Sequence, residues 1–416
     1  MQSAFFPAIG VSVFNQNSKS GDGFGTDIPA FSVFNNINVI NSRISVTNST
    51  GGSYFDVDGI RRDSSANEAR IQYDPANGTL EGLIKEPSST NEQGESLGFD
   101  FIDGSHGGNL LLTENAGTSV TGLDNALSII PDNTGGGNWL GGGSAHSISS
   151  GQKYSMQCKI KRIGGNTNHN RYFVLAVREN GGFTQRHGVN VDLEDLEVHK
   201  YENGTATVGE VTIKDLGDGW YLICAHGCEI DPAYTAVLFE SGVSQGDGQG
   251  ISNSTFGDGT SGFLVDEYQF EKFERCTSYI PTTTSSSATR AADTITATLP
   301  SPLSGSLVVK TSCRIMSTVS NFPQIMLLGD ADNSDYYQQY FNAAGSRPAG
   351  KIVTGGVSQV DQSTFSVTVD LQEEFTTGVT AKTDYGYSST NGAESTVDTA
   401  ATLPADMYRL FIGHTG

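Results

Sequence analysis

No stretch of this sequence holds an apolar period of 3.6 residues for longer than about two helical turns, and that constrains the fold more than any other feature. The best helical candidates, 193–201 and 334–343, end within that length. What recurs instead is a short alternation of apolar and polar residues, broken by clusters of Gly, Asn, Asp and Ser. Strands joined by tight turns need that pattern. The chain carries 51 glycines, and Gly with Asn supplies the positive-φ positions of such turns. An all-β protein is predicted, with tandem β-sandwiches behind a small β unit and an N-terminal arm.

At 416 residues the chain is long enough for two or three domains. Its net charge of -22 repels phosphate backbones, so nucleic acid is not an expected partner. No segment reaches the roughly 18 apolar residues of a membrane span, so no membrane insertion is expected. Residues 1–10 lack a basic stretch followed by an apolar run, and no secretory signal is expected. The five cysteines, Cys158, Cys224, Cys228, Cys276 and Cys313, are odd in number and widely spread. Free thiols fit that pattern better than a disulfide framework.

Residues 1–36 read as an arm that gains order by packing against something else. Within it Ser12-Val13-Phe14-Asn15 repeats as Ser32-Val33-Phe34-Asn35. Residues 37–95 read as a small β unit and linker, with a hairpin expected between 44–47 and 54–59. Short alternating segments follow at 154–160, 171–177, 211–213, 220–225, 236–240 and 262–270, within a unit spanning 96–293. A Ser/Thr connector at 282–289 leads to a second set at 306–316, 324–328, 351–353, 365–371 and 409–412, within 294–416.

Several phrases then form an ordered series. Tyr54-Phe55-Asp56-Val57-Asp58-Gly59 is followed by Arg70 to Pro75, by Gly82-Leu83-Ile84-Lys85-Glu86-Pro87, and by Thr90-Asn91. The series resembles the opening segment of many bacteriophage structural proteins, which usually reads "vdadG…R.dydp…GLLiEparTN". Ser150-Gly151-Gln152-Lys153-Tyr154-Ser155, Asp218-Gly219-Trp220-Tyr221-Leu222 and Gly257 to Gly262 continue in the usual order. Thr277-Ser278-Tyr279-Ile280-Pro281-Thr282 and Thr289-Arg290-Ala291-Ala292-Asp293 close the block. Together they resemble the carbohydrate-binding-module-like jelly roll of phage tail, fibre and particle-decorating proteins. Leu403-Pro404-Ala405-Asp406 and Arg409-Leu410-Phe411-Ile412-Gly413 resemble the laminin-G or concanavalin-like sandwich that often follows. That sandwich usually continues with one more strand pair, so its sheet is expected to be completed by another chain, by the N-terminal segment, or not at all.

Glycan recognition needs an aromatic platform beside amide and carboxylate side chains. Trp139 and Asn138, in a Gly-rich loop, and Tyr172 and Phe183 are the candidates, against ordinary packing for each. Trp220, opening an alternating strand, reads as core. Asp330, Asp332 and Asp335 cluster oxygen ligands as a calcium loop does, against a solvated turn; no cofactor is expected to be required, and calcium is the one this cluster would admit. The EF-hand pattern wants Gly at position six and Glu at twelve, where this chain has Asp335 and Phe341. Cys224-Ala225-His226-Gly227-Cys228 hints at zinc, but no second pair lies at a finger-like spacing. Alternation would send all three to one face, where packing suffices. No catalytic residue is assigned. The adjacent pairs Glu194/Asp195 and Asp266/Glu267 would point to opposite faces of an extended strand, and no Gly-x-Ser-x-Gly elbow occurs.

The resemblance implies a non-enzymatic phage virion appendage or decoration protein at the particle surface, made in the host cytoplasm. Its expected partners are other virion proteins, further copies of itself, with a trimer the usual form, and host-surface glycans. A ligand-free capsid-cementing or tail component, or a polysaccharide depolymerase tailspike, are the alternatives.

Overall fold

The computed structural model describes residues 8–15, 31–32 and 44–412, except 95, 97–108, 135–136, 142–144, 166, 183–185, 252–256, 284–285, 304–306, 315–323, 331, 333, 343–346, 362–373, 383–384, 395–398 and 400–401. Phe183 and the strand expected at 365–371 lie outside the described residues. Among those described the protein is all β, with one short 3-10 turn at Asn168–Asn170.

Both helical candidates are corrected. Residues 193–196 form a turn with Leu196 at φ 56, and Glu197–Glu202 then pairs with His187–Asp192. Tyr336–Asn342 lies between Gln324–Gly329 and Arg347–Thr354. There Tyr337 and Gln339 are buried while Tyr336 and Gln338 are half-buried. That period of two is selected by pairing with neighbours, which outweighs weak local helix propensity.

The first sandwich stacks two antiparallel sheets. One runs Glu210–Asp215, Trp220–Cys228, Tyr154–Ile163, Gly262–Glu271, Ala126–Pro131, Leu110–Gly117, with Ser89–Asn91 joined to Gly262–Glu271 and Ala288–Arg290 joined to Ser89–Asn91. The other runs Trp139–Gly141, Ala236–Ser244, Tyr172–Glu179, His187–Asp192, Glu197–Glu202. Alternate residues meet between them. Phe173 stands edge-on to Phe263 at 5.4 Å, and Phe239 to Tyr268 at 5.9 Å. Each such pair adds about 0.5–1.5 kcal/mol beyond its area burial.

The second sandwich is completed from the N-terminus. Ala8–Asn15 pairs along its whole length with Leu307–Arg314, and Phe31–Ser32 pairs with Ala8–Asn15 so that Ser12 opposes Ser32. Ser32, which opens the second copy of the repeated tetrapeptide, thus lies opposite Ser12, which opens the first. Ile44–Thr47 pairs with Thr294–Leu303 in the opposite sheet, next to Met407–Ile412. The hairpin expected between 44–47 and 54–59 therefore does not form, because its first strand is taken by the terminal sandwich. Gly52–Phe55 pairs instead with Arg61–Ser64, and Ile71–Tyr73 with Leu80–Leu83. These two hairpins cover the outer face of the first sheet.

Two bulges re-aim side chains on that face. Opposite Tyr154–Met156 the strand Trp220–Cys228 carries an extra residue, with Gly227 at φ 59. A second irregularity falls opposite Gln157–Lys159, with Glu267 at φ 54. A bulge shifts the alternation that follows it.

Candidate functional site

Trp139 and Tyr172 both lie on the outer face of the second sheet. Trp139 opposes Gly242, which opposes Val174, and Tyr172 lies two residues before Val174 on the same face. Trp139 is half-buried and packs against Val174, Ala176 and Ile251. Asn138 is buried, and its backbone carbonyl accepts the Val243 N–H at 3.1 Å. Tyr172 lies under the Arg171 guanidinium, 5.1 Å from its ring centre. The loop 245–251 lies over this face. Asn190 Nδ2 donates to Gly246 O and Gln249 O, and a Cβ at Gly250 would come within 2.5 Å of the Tyr201 ring. Packing beneath a loop accounts for Trp139 and Asn138 as they stand.

The acidic turn braces loops. Asp335 accepts the backbone N–H groups of Gly355 at 2.6 Å and Ala405 at 2.7 Å. Asp330 accepts from the Ser334 hydroxyl at 2.8 Å, and Asp332 from the Ser334 N–H at 3.1 Å. Of the two acidic pairs, Glu194 and Asp195 both salt-bridge Arg171. Asp266 and Glu267 sit at the bulge, so simple alternation does not describe them.

Residues of several of the phrases in the ordered series converge elsewhere. Arg70 donates to the Glu86 carboxylate at 2.6 Å and also pairs with Asp293, and Arg290 reaches Glu86 at 2.9 Å. The Ser278 N–H donates to Glu86 at 2.6 Å, Arg290 donates to the Pro87 carbonyl at 3.0 Å, and Asn48 donates to Asp293 at 2.6 Å. All four ionised side chains are at most 4% exposed. Burial alone would push the Glu86 carboxyl up, but Arg290 and Arg70 hold it below the usual range. Nearby, Asn91 donates to the Tyr268 and Ile280 carbonyls and accepts the Phe270 and Gln93 N–H groups. Buried Glu271, raised by its burial, accepts from Ser89 and Thr277. This cluster ties the hairpins, the first sheet and the connector into one body.

Beside it the hairpins and the first sheet enclose a half-open cleft of about 230 Å³. Buried Glu267 salt-bridges both Arg61 and Lys159. Burial and the Arg61 charge push the Lys159 ammonium well below its usual range. Lys159 also stands 5.2 Å from the Phe55 ring centre and 5.5 Å from that of Tyr279. Farther along, Cys224, His226 and Cys276 hold their ligand atoms within 4.8 Å of one another. Burial and Arg275 lower the imidazole to about 4. The expectation that Cys228 shares their face is corrected: the Gly227 bulge turns Cys228 into the core between the sheets. Cys276 takes its place from a loop remote in sequence, which spacing could not reveal. The only sequence signal was the glycine between His226 and Cys228.

No family model matches the chain, and neither does any curated protein. Among solved structures, the LG4-5 domains of the mouse laminin alpha1 chain are similar at 11% identity and a TM-score of 0.19, with 65% of this chain and 82% of that chain covered.

Proposed function

We propose that this chain is a non-enzymatic bacteriophage virion protein that presents its sandwiches at the particle surface. The observation that carries the reading is the fate of several phrases of the ordered series. Arg70, Glu86, Arg290 and Asp293 fasten three parts of the chain together in a buried cluster, with Glu86 also at the wall of the adjoining cleft. A buried fastening of this kind suits a rigid displayed part. The N-terminal segment, woven into the terminal sandwich, covers the edges of Leu307–Arg314 and Thr294–Leu303 and leaves the short strands Phe31–Ser32 and Ile44–Thr47 outermost, and short edge strands limit uncontrolled pairing. The charge of -22 keeps many copies soluble at high local density.

In this proposal the outer faces contact neighbouring virion proteins, other copies of the chain and host-surface glycans. Weak contacts at Trp139 and Tyr172 would sum through copy number rather than through one deep pocket. Gold-labelled antibody on intact particles tests the reading. Label at tail or fibre periphery, with glycan-array binding, is the expected result. Regular label over the capsid without glycan binding would move the role to cementing. Release of reducing sugar ends from host envelope would replace it with a depolymerase, and unlabelled particles would reject the virion reading.

A further inference from the structure

Three potential metal ligands converge on the wall of the cleft. Cys224 and His226 point outward from the strand Trp220–Cys228, and Cys276 comes from the loop after Gly262–Glu271. Their ligand atoms lie within 4.8 Å of one another, and all three residues are buried or half-buried. Bond lengths of about 2.3 Å to sulfur and about 2.0 Å to nitrogen place tetrahedral ligands roughly 3.5–3.8 Å apart, so side-chain rotations close the set.

Without a metal the thiols donate to oxygens, Cys276 to Met156 O at 3.3 Å and Cys224 to Gln157 Oε1 at 3.6 Å, and two features of the set suit their replacement by a metal ion. The Cys276 backbone N–H donates to His226 Nδ1 at 3.2 Å, so this nitrogen is the unprotonated one, and a metal bound there replaces that hydrogen bond. The ring is therefore neutral with its proton on Nε2, where Thr212 Oγ1 accepts at 3.3 Å. A second partner on the far nitrogen is the usual way a ligating imidazole is oriented. Two thiolates, a neutral imidazole and a divalent cation also sum to zero charge, which a buried site tolerates best.

We infer that Cys224, His226 and Cys276 bind a borderline divalent cation of the zinc class, with the fourth position open to the cleft. Binding replaces two S–H protons by two metal–sulfur bonds and releases both protons, so affinity rises with pH. Three protein ligands with an open fourth position is the arrangement that lets a bound ion meet a further ligand.

The test is Co²⁺ titration of the full reduced chain, followed by thiolate-to-cobalt charge-transfer absorption. The expected result is saturation at about one equivalent per chain and displacement by Zn²⁺. The signal is lost in C276S and C224S and retained in C228A, whose side chain lies in the core. That last contrast separates this site from the contiguous Cys-x-His-x-Cys reading. Absence of the band in wild-type protein with its thiols reduced would overturn the proposal. So would retention in C276S with loss in C228A. The wild-type titration decides even where a variant does not fold.

Discussion

The first sandwich covers both of its outer faces, and the two covers are fastened by opposite chemistry. Over one face, the N-terminal hairpins are held by Arg70, Glu86, Arg290 and Asp293, all buried and mutually paired. Over the other, the loop 245–251 is held by two hydrogen bonds from Asn190 and by the packing of Ile251 with Trp139. The first cover unites segments more than 200 residues apart, as the Arg70–Asp293 pair shows. The second is a local loop. A buried ion pair gives little net stability against an apolar substitute, but removing one partner is severe. The fastened face should therefore fail abruptly and the loop-covered face gradually.

The largest effect is expected for E86A, which leaves Arg70 and Arg290 buried without their shared carboxylate. A loss of about 3–5 kcal/mol should appear as a lower denaturant midpoint. W139A on the opposite face would break the contrast if it cost as much. His146, stacked on Phe270 at 4.8 Å between the sheets, adds an acid-sensitive contribution. Burial, with Lys272, lowers it to about 4 from 6.5. The unfolded chain then binds a proton that the folded chain excludes. Stability from this group is full above pH 6.5 and is lost as pH falls toward 4, by about 3 kcal/mol. Glu271, raised by burial, acts in the opposite sense, so the effect is read as the difference between wild type and H146Q across that range.

W139A itself is expected to cost about 1–2 kcal/mol, because its ring is only half-buried. Increased hydrogen exchange should be confined to 245–251 and should leave the hairpins protected. D335N should cost about 1 kcal/mol by weakening two backbone hydrogen bonds, with a small drop in Tm and no dependence on added calcium.

Much of the strand pattern was legible because period-two alternation and Gly/Asn turns are local signals. The segments at 154–160, 220–225 and 262–270 lie within strands of the structure. The residues of the cluster were legible as phrases, but their role was not, since Arg70 and Asp293 meet only through the fold. Pairings that depend on distant segments were also hidden. Ile44–Thr47 reads as half of a local hairpin until Thr294–Leu303 claims it. The bulge at Gly227 moved Cys228 inward, and no spacing rule could bring Cys276 to His226. Trp139, read as part of a Gly-rich loop, lies instead in the strand Trp139–Gly141 paired with Ala236–Ser244, and its half-burial could not be read from composition.

The central claim is that Arg70, Glu86, Arg290 and Asp293 form one interdependent fastening. A double-mutant cycle on Arg70 and Glu86, followed by chemical denaturation, tests it most directly. The account predicts that R70A and E86A each destabilise severely and that the double variant is about 2 kcal/mol or more better than their sum. Additivity within about 0.5 kcal/mol would contradict it, and would mean that the two side chains act independently.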